Sequence, residues 1–236
     1  MTQIVDLTMP ISNHFRWSVD RQLKSDFDKG SAFQVTWVGW AVHGFTHIDA
    51  PRHIDPTGHT TSDISLDQIV GNAAIVDLTG TEPNSPITEA QIRNASAHIT
   101  SGDIVLLKTC WDVVVSPMTP EFWTTAPYMT RPACEWLLSR NIKAIGYDFP
   151  QDYTIRKLLK DEVAPMSEFV THDVLLRHGV IMIEYLCNLQ QLTTSHTQFY
   201  GATFEDSRLG WCPRSRDCRS IGDVSLHEIN MSRNRN

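Results

Sequence analysis

Several signatures of common enzyme classes are missing from this 236-residue chain. There is no Gly-x-Ser-x-Gly elbow, no phosphate-binding glycine loop and no dinucleotide fingerprint. Each absence removes the usual sequence support for a serine hydrolase, a nucleotide enzyme or a dehydrogenase. Cysteine is scarce: five residues, an odd number without a Cys-x2-Cys pair, fit free thiols in a reducing compartment better than a disulfide framework. Cys110, Cys134 and Cys187 lie in apolar contexts and are expected in the core. No apolar run reaches the length that spans a bilayer, and the opening Met1-Thr-Gln-Ile-Val-Asp6 has neither a charged nor a hydrophobic leader region, so the expectation is a cytoplasmic protein without a membrane partner. Positive charge is also short. A net charge of -7 argues against nucleic acid as the main partner. With 41% hydrophobic and 20% charged residues and no linker-like stretch, residues 1–201 are expected to form one domain around one sizeable core.

What the chain does have is histidine, concentrated in one place. His43-Gly-Phe-Thr-His47-Ile-Asp49-Ala-Pro-Arg-His53 puts three imidazoles and one carboxylate inside eleven residues. Neutral imidazole nitrogen and carboxylate oxygen are the usual protein ligands for zinc and related divalent ions, and crowding them is costly unless a cation neutralises the site. Pro51, Pro56, Gly44 and Gly58 oppose a long helix here, so the spacing predicts an extended strand leading into a loop. On a strand, His43, Phe45, His47 and Asp49 share one face, and Pro51 bends the chain so that His53 follows. The plainer alternative is a histidine-rich surface loop with Asp49 paired to Arg52.

Two distant residues complete the candidate set. Glu184 follows the apolar run Val180–Ile183, where a carboxylate needs a partner, either a cation or an Arg or Lys side chain. His172, next to Asp173 at a predicted helix start, suits either a ligand or a cap-region residue.

The His43-x3-His47-x-Asp49-x3-His53 segment, with His172 and Glu184 ahead of Leu186-Cys-Asn-Leu189, resembles the cyclase-type metal-dependent hydrolases. That family includes bacterial kynurenine formamidases and isatin hydrolases. The resemblance runs from Ile4-Val-Asp-Leu-Thr-Met-Pro-Ile11 through Gln191. It implies that His43 and His47 bind one metal, that His172 binds a second, that Asp49 and Glu184 bridge both, and that His53 is the catalytic acid/base. Some relatives work with a single manganese ion, so the resemblance leaves one or two ions open, Zn2+ first and Mn2+ as the alternative. It further implies a swivelling β/β/α fold around a mixed sheet and a homo-oligomer, usually built on dimers. One position departs from pattern. The family usually reads His-x-Gly-Thr-His where this chain has His43-Gly-Phe-Thr-His47, and on the ligand face Phe45 would wall the pocket, either tightening it around a flat ring or obstructing a larger substrate.

Periodicity and turn residues independently give a mixed α/β chain. Strands are predicted at Ile4–Leu7, Phe33–Val42, Ala73–Asp77, Ile104–Thr109, Ala144–Tyr147 and Val180–Ile183. Helices are predicted at Thr88–Ala95, where Thr88 and Gln91 have capping-box spacing, at Thr130–Arg140 and at Val170–Arg177. Trp17, Trp37, Trp40 and Phe45 flank the ligand strand, and Trp111 follows another strand, each available for packing or for recognition. Asp148 matches an acidic position that the family often carries near the site. His59 is either a second-layer group or a surface-loop histidine.

The tail from residue 202 to 236 does not fit. Ala202 to Arg219 lacks the family's closing strand pair, yet plausible codons read one base later restore a family-like ending, which points to a frameshift near Gly201; a divergent, partly disordered polar tail is the other reading. The expected function is metal-assisted hydrolysis of a C–N amide bond in a small aryl formamide or cyclic amide, in which a divalent ion acidifies water and polarises the carbonyl while His53 moves the proton. The small-molecule partner is then an amide or a lactone. Alternatives on the same fold are a lactone hydrolase, a non-hydrolytic metal-dependent cyclase and an inactive ligand-binding paralogue.

Overall fold

Four short apolar runs build the centre of the molecule. The computed structural model describes residues 4–202. In chain order its strands are β1 (Val19–Ser25), β2 (Val35–Trp40), β3 (His47–Asp49), β4 (Val70–Asp77), β5 (Pro86–Ile87), β6 (Ile104–Lys108), β7 (Tyr128–Met129), β8 (Ala144–Tyr147), β9 (Ile181–Glu184) and β10 (His196–Tyr200). Six of them form one mixed sheet in the order β10-β4-β6-β8-β9-β3. Its middle, β4-β6-β8-β9, is parallel, and β10 and β3 close the edges antiparallel.

Parallel strands covered on both faces read as continuous apolar runs. Val105 and Leu107 belong to one core cluster, and Ile104 and Leu106 to a second, so alternate residues of β6 feed the two faces of the sheet. The larger cluster takes in helices Glu89–Ala95 and Arg131–Ser139 through Ile92, Ala133, Cys134 and Leu137. The capping box at Thr88 is present: Thr88 N and Oγ1 donate to Gln91 Oε1, and Gln91 N donates back to Thr88 Oγ1.

The predicted strands at the sheet centre match to within a few residues, and three segments differ. Ile4–Leu7 forms no strand, because Thr8 N and Oγ1 both donate to Asp6 Oδ1 and turn the chain locally; two carbonyls reach the main body, Leu7 O accepting from Cys187 N and Asp6 O from Asn188 Nδ2. Phe33–Val42 shortens to Val35–Trp40 and pairs with β1, whose sequence Val-Asp-Arg-Gln-Leu-Lys-Ser has no clean apolar alternation. Val170–Arg177 breaks after Val174 and finishes as a 3-10 turn, Leu176–His178, capped by Gly179 at φ 85°. The anomalous tail, after Ala202, lies outside the described residues.

Candidate metal centre

β3 lies at the sheet edge beside β9, and register pairs His47 with Glu184, Ile48 with Ile183 and Asp49 with Met182. Pro51–His53 then folds as a 3-10 turn with Pro51 at its first position, so His53 follows the strand through the predicted bend. The strand itself is shorter than expected: His43 and Phe45 lie before it in irregular backbone, and Phe45 adopts φ 59°. Phe45 does not share the ligand face. It is 1% exposed, packs at 5.0 Å from the Trp17 ring, and offers its carbonyl to His47 Nδ1 at 2.8 Å. That contact leaves His47 Nε2 as the nitrogen directed at the cluster.

The structure brings all six candidate residues together. Asp49 Oδ1 is 3.3 Å from His43 Nδ1 and 3.4 Å from His47 Nε2, while Asp49 Oδ2 is 3.8 Å from His172 Nε2. Glu184 divides in the same way, with Oε2 at 3.5 Å from His47 Nε2 and Oε1 at 3.6 Å from His172 Nε2. Each carboxylate therefore turns one oxygen to the His43/His47 pair and the other to His172. His53 stacks on His43 with ring centroids 4.4 Å apart and stands 5.6 Å from His172. Ligand-type atoms converge to within 4.8 Å in two overlapping groups, His43-His47-Asp49-Glu184 and Asp49-His53-His172.

Two observations test whether this donor set suits a cation. Asp49 Oδ2 and Glu184 Oε2 are buried without a hydrogen-bond partner, a costly state for carboxylate oxygens. The acids also pull protons onto the bases. Burial opposes the His47 imidazolium, yet the Asp49 and Glu184 carboxylates raise its pKa. Burial likewise opposes charge on His172, but its bond to Asp152 and the nearby Glu184 and Asp49 carry it up to about 9. Asp49 is held well below the usual carboxylate range, the His43 and His47 imidazoles overcoming its burial. A divalent ion can take the place of those protons, so the residues present fit one. His53 moves the other way from His47 and His172, burial lowering its pKa.

Sequence reading missed the residues behind the ligands. Asp152, fully buried, accepts from Thr171 N at 2.9 Å and Thr171 Oγ1 at 2.7 Å, and lies 2.7 Å from His172 Nδ1, so it fixes the ring with Nε2 toward the cluster. Gln151 Nε2 donates to Glu184 Oε1. No Arg or Lys pairs with Glu184 among the described residues. The signal for them in the sequence is a polar Gln-Asp pair shortly after a buried strand, next to a second carboxylate, Asp148, that competes for the same role. Asp148 turns away: it accepts from Thr109 N, Thr109 Oγ1 and Cys110 N and joins neither ligand group. Arg52 donates to Pro56 O rather than to Asp49, and His59 is an exposed loop residue whose carbonyl accepts from Arg52 N. Trp17 joins Trp123 and Tyr185 in an aromatic wall, with ring centroids 5.3 and 5.6 Å away, and Tyr185 is 5.5 Å from His47. Trp37 is exposed and Trp111 is buried, its Nε1 donating to Phe122 O.

Residues 5–151 match the profile of the family described as putative cyclase. The chain belongs to the putative cyclase family. Among curated proteins it is similar to a kynurenine formamidase of Bacillus mycoides (strain KBAB4), 25% identical over 190 residues that span 78% of this chain and 81% of that one. Among solved structures it is similar to a potential metal-dependent hydrolase with cyclase activity, at 26% identity and a TM-score of 0.66 over 89% of this chain and 93% of the other. An isatin hydrolase A from Labrenzia aggregata shares the fold at 19% identity, with a TM-score of 0.71 over 89% of this chain and 91% of that one. The mixed sheet described above is thus the cyclase-family fold. A kynurenine formamidase of Bacillus cereus (strain ATCC 14579) is similar at 25% identity over 76% of this chain and 80% of that one, in keeping with an enzyme. Among the described residues no helix is long and apolar enough to cross a membrane.

Proposed function

We propose that the protein is a metal-dependent hydrolase that cleaves the C–N amide bond of a small aryl formamide or cyclic amide. One observation carries this reading: two buried carboxylates, each split between two sets of imidazoles, leave Asp49 Oδ2 and Glu184 Oε2 without a hydrogen bond at the point of convergence. His43, His47, Asp49, His172 and Glu184 would hold one or two ions, and their mixed N/O donor set suits Zn2+ or, as the alternative, Mn2+. When bound, such an ion supplies Lewis-acid polarisation of the amide carbonyl and acidification of water. His53 takes the proton of the attacking water and returns it to the leaving nitrogen, a transfer its place between His43 and His172 allows. Asp152 and Gln151 hold His172 and Glu184 in place. Tyr185, 5.5 Å from His47, and Trp17 behind it pack as buried aromatic rings against one side of the centre.

The relatives named kynurenine formamidase support the amide class. A cyclase or a lactone hydrolase is the second reading, favoured by the neighbour titled a potential metal-dependent hydrolase with cyclase activity. The assay is a panel of N-formylkynurenine, isatin and a simple lactone with the metal-replete protein. Turnover of an amide member supports the reading, and bound metal with no amide hydrolysis rejects it in favour of the second. We further propose a cytoplasmic homo-oligomer. The β1–β2 hairpin leaves Phe33 62% and Trp37 46% exposed, more apolar surface than an isolated two-stranded sheet carries well in water, and light scattering reads the oligomeric state directly.

A further inference from the structure

Glu184 is held from behind by a neutral donor. Gln151 is fully buried in the segment after β8, its backbone carbonyl accepts from Met129 N at 2.8 Å, and its Nε2 donates to Glu184 Oε1. The amide oxygen of Gln151 is left buried with no hydrogen-bond partner. An orphaned buried oxygen is unfavourable, but turning the amide over would set that oxygen against the carboxylate. The bond to Glu184 therefore decides how the amide lies.

That bond makes the two oxygens of Glu184 different. Oε1, 3.6 Å from His172 Nε2, already spends part of its acceptor capacity on the amide N–H. Oε2 accepts no hydrogen bond and lies 3.5 Å from His47 Nε2 and 4.0 Å from His43 Nε2. The ligand groups divide in the same sense: Glu184 converges with His43, His47 and Asp49, whereas the group at the other end consists of Asp49, His53 and His172. Gln151 also brings no charge. An Arg or Lys in its place would hold the carboxylate as firmly but cancel the charge that attracts a cation.

We propose that Gln151 is a positioning residue that makes the two ends of the centre unequal, turning Glu184 so that the first divalent ion is taken beside His43 and His47 and the His172 end fills later. Outer hydrogen bonds of this kind aim a ligand and set its donor strength. The inference rests on the proposed metal dependence but not on the substrate class.

Titration of the metal-free full chain with Co2+ tests it without any turnover, read by visible absorption and by competition with a chromogenic chelator. The variants are His43→Ala, His172→Ala, Gln151→Met, which keeps the length and loses the donor, and Gln151→Lys, which keeps a donor and adds charge; circular dichroism confirms that each is folded. The first Co2+ should bind His172→Ala within about three-fold of wild type and His43→Ala at least about ten-fold more weakly. Gln151→Met should weaken the first ion about ten-fold and alter its absorption band, which a packing defect away from the ligands would leave in place, and Gln151→Lys should weaken it further. Equal loss of the first ion in His43→Ala and His172→Ala would overturn the proposal. So would wild-type affinity and absorption in Gln151→Met, or wild-type affinity in Gln151→Lys, which serves alone should Gln151→Met not fold. No Co2+ bound by the wild-type protein would reject the metal centre itself, an outcome distinct from binding in the wrong order or without help from Gln151.

Discussion

His47 and Glu184 face each other as register partners on β3 and β9, with Nε2 and Oε2 3.5 Å apart. Their apolar neighbours set this pairing. Ile48 and Ile183 are the next register pair and belong to one core cluster, so they point to the opposite face of the sheet from His47 and Glu184. A slip of one residue would turn the two isoleucines out of the core and the two ligand candidates apart. The hydrophobic core of one face thus positions the polar chemistry of the other.

His53 separates proton transfer from metal retention. In His53→Ala, bound metal should stay within a factor of two of wild type while turnover falls on the order of 100-fold. The convergence of His53 with Asp49 and His172 makes the metal measurement essential. Loss of metal in this variant would make His53 a ligand, and an unchanged rate would make it a bystander.

Asp152 should act through His172. Asp152→Asn keeps the volume but cannot fix the His172 ring with the same charge-assisted bond, so metal affinity is expected to fall roughly 10- to 100-fold. Competition with a chromogenic chelator reads this without any assay of turnover. Affinity equal to wild type would reduce Asp152 to a packing residue.

The contrast between Asp148 and Asp152 shows where sequence reading stops. Both follow β8 within a few residues, and both are fully buried. One turns to the Thr109 and Cys110 amides and the other to Thr171 and His172, a choice made by loops far away in the chain. By contrast, the His43–His53 cluster was legible because residue types that repel or resist burial were packed into one short segment. Glu184 was legible because a carboxylate ended an apolar strand. β1 escaped notice because a strand of an exposed ribbon needs no apolar alternation, as the largely exposed Val19–Ser25 shows, whereas its partner β2 was legible within Phe33–Val42.

Phe45 combines a buried ring with a left-handed backbone, φ 59°. A non-glycine residue there costs roughly 1–2 kcal/mol. Phe45→Ala should lose about 3–5 kcal/mol of stability through the vacated ring space. Phe45→Gly vacates the same space but relaxes the backbone, so it should be more stable than Phe45→Ala, reversing the usual order. Denaturant unfolding of the two variants decides, and Gly below Ala would contradict the assigned backbone strain.

Asp148 gives a pH dependence away from the ligand cluster. Burial raises its pKa from 3.8 to about 7, against the hydrogen bonds from Thr109 and Cys110. The folded state therefore holds a proton that the unfolded chain releases above pH 3.8. The resulting stabilisation is complete below that pH and is lost as pH rises through about 7. Stability of wild type relative to Asp148→Asn should fall between pH 4 and 7 with a slope of up to about 1.4 kcal/mol per unit. A flat or rising difference would show that the carboxyl is ionised throughout.

Metal content of the purified protein and of two variants is the most direct measurement. After gel filtration in chelator-free buffer, elemental analysis of the wild-type protein should find one or two divalent ions per chain. His47→Ala and Asp49→Ala should each retain less than about a tenth of that while remaining folded, because losing a ligand weakens the site far more than the core. Full occupancy in both variants, or no retained metal in the wild-type protein, would contradict the assignment of this cluster as a metal centre.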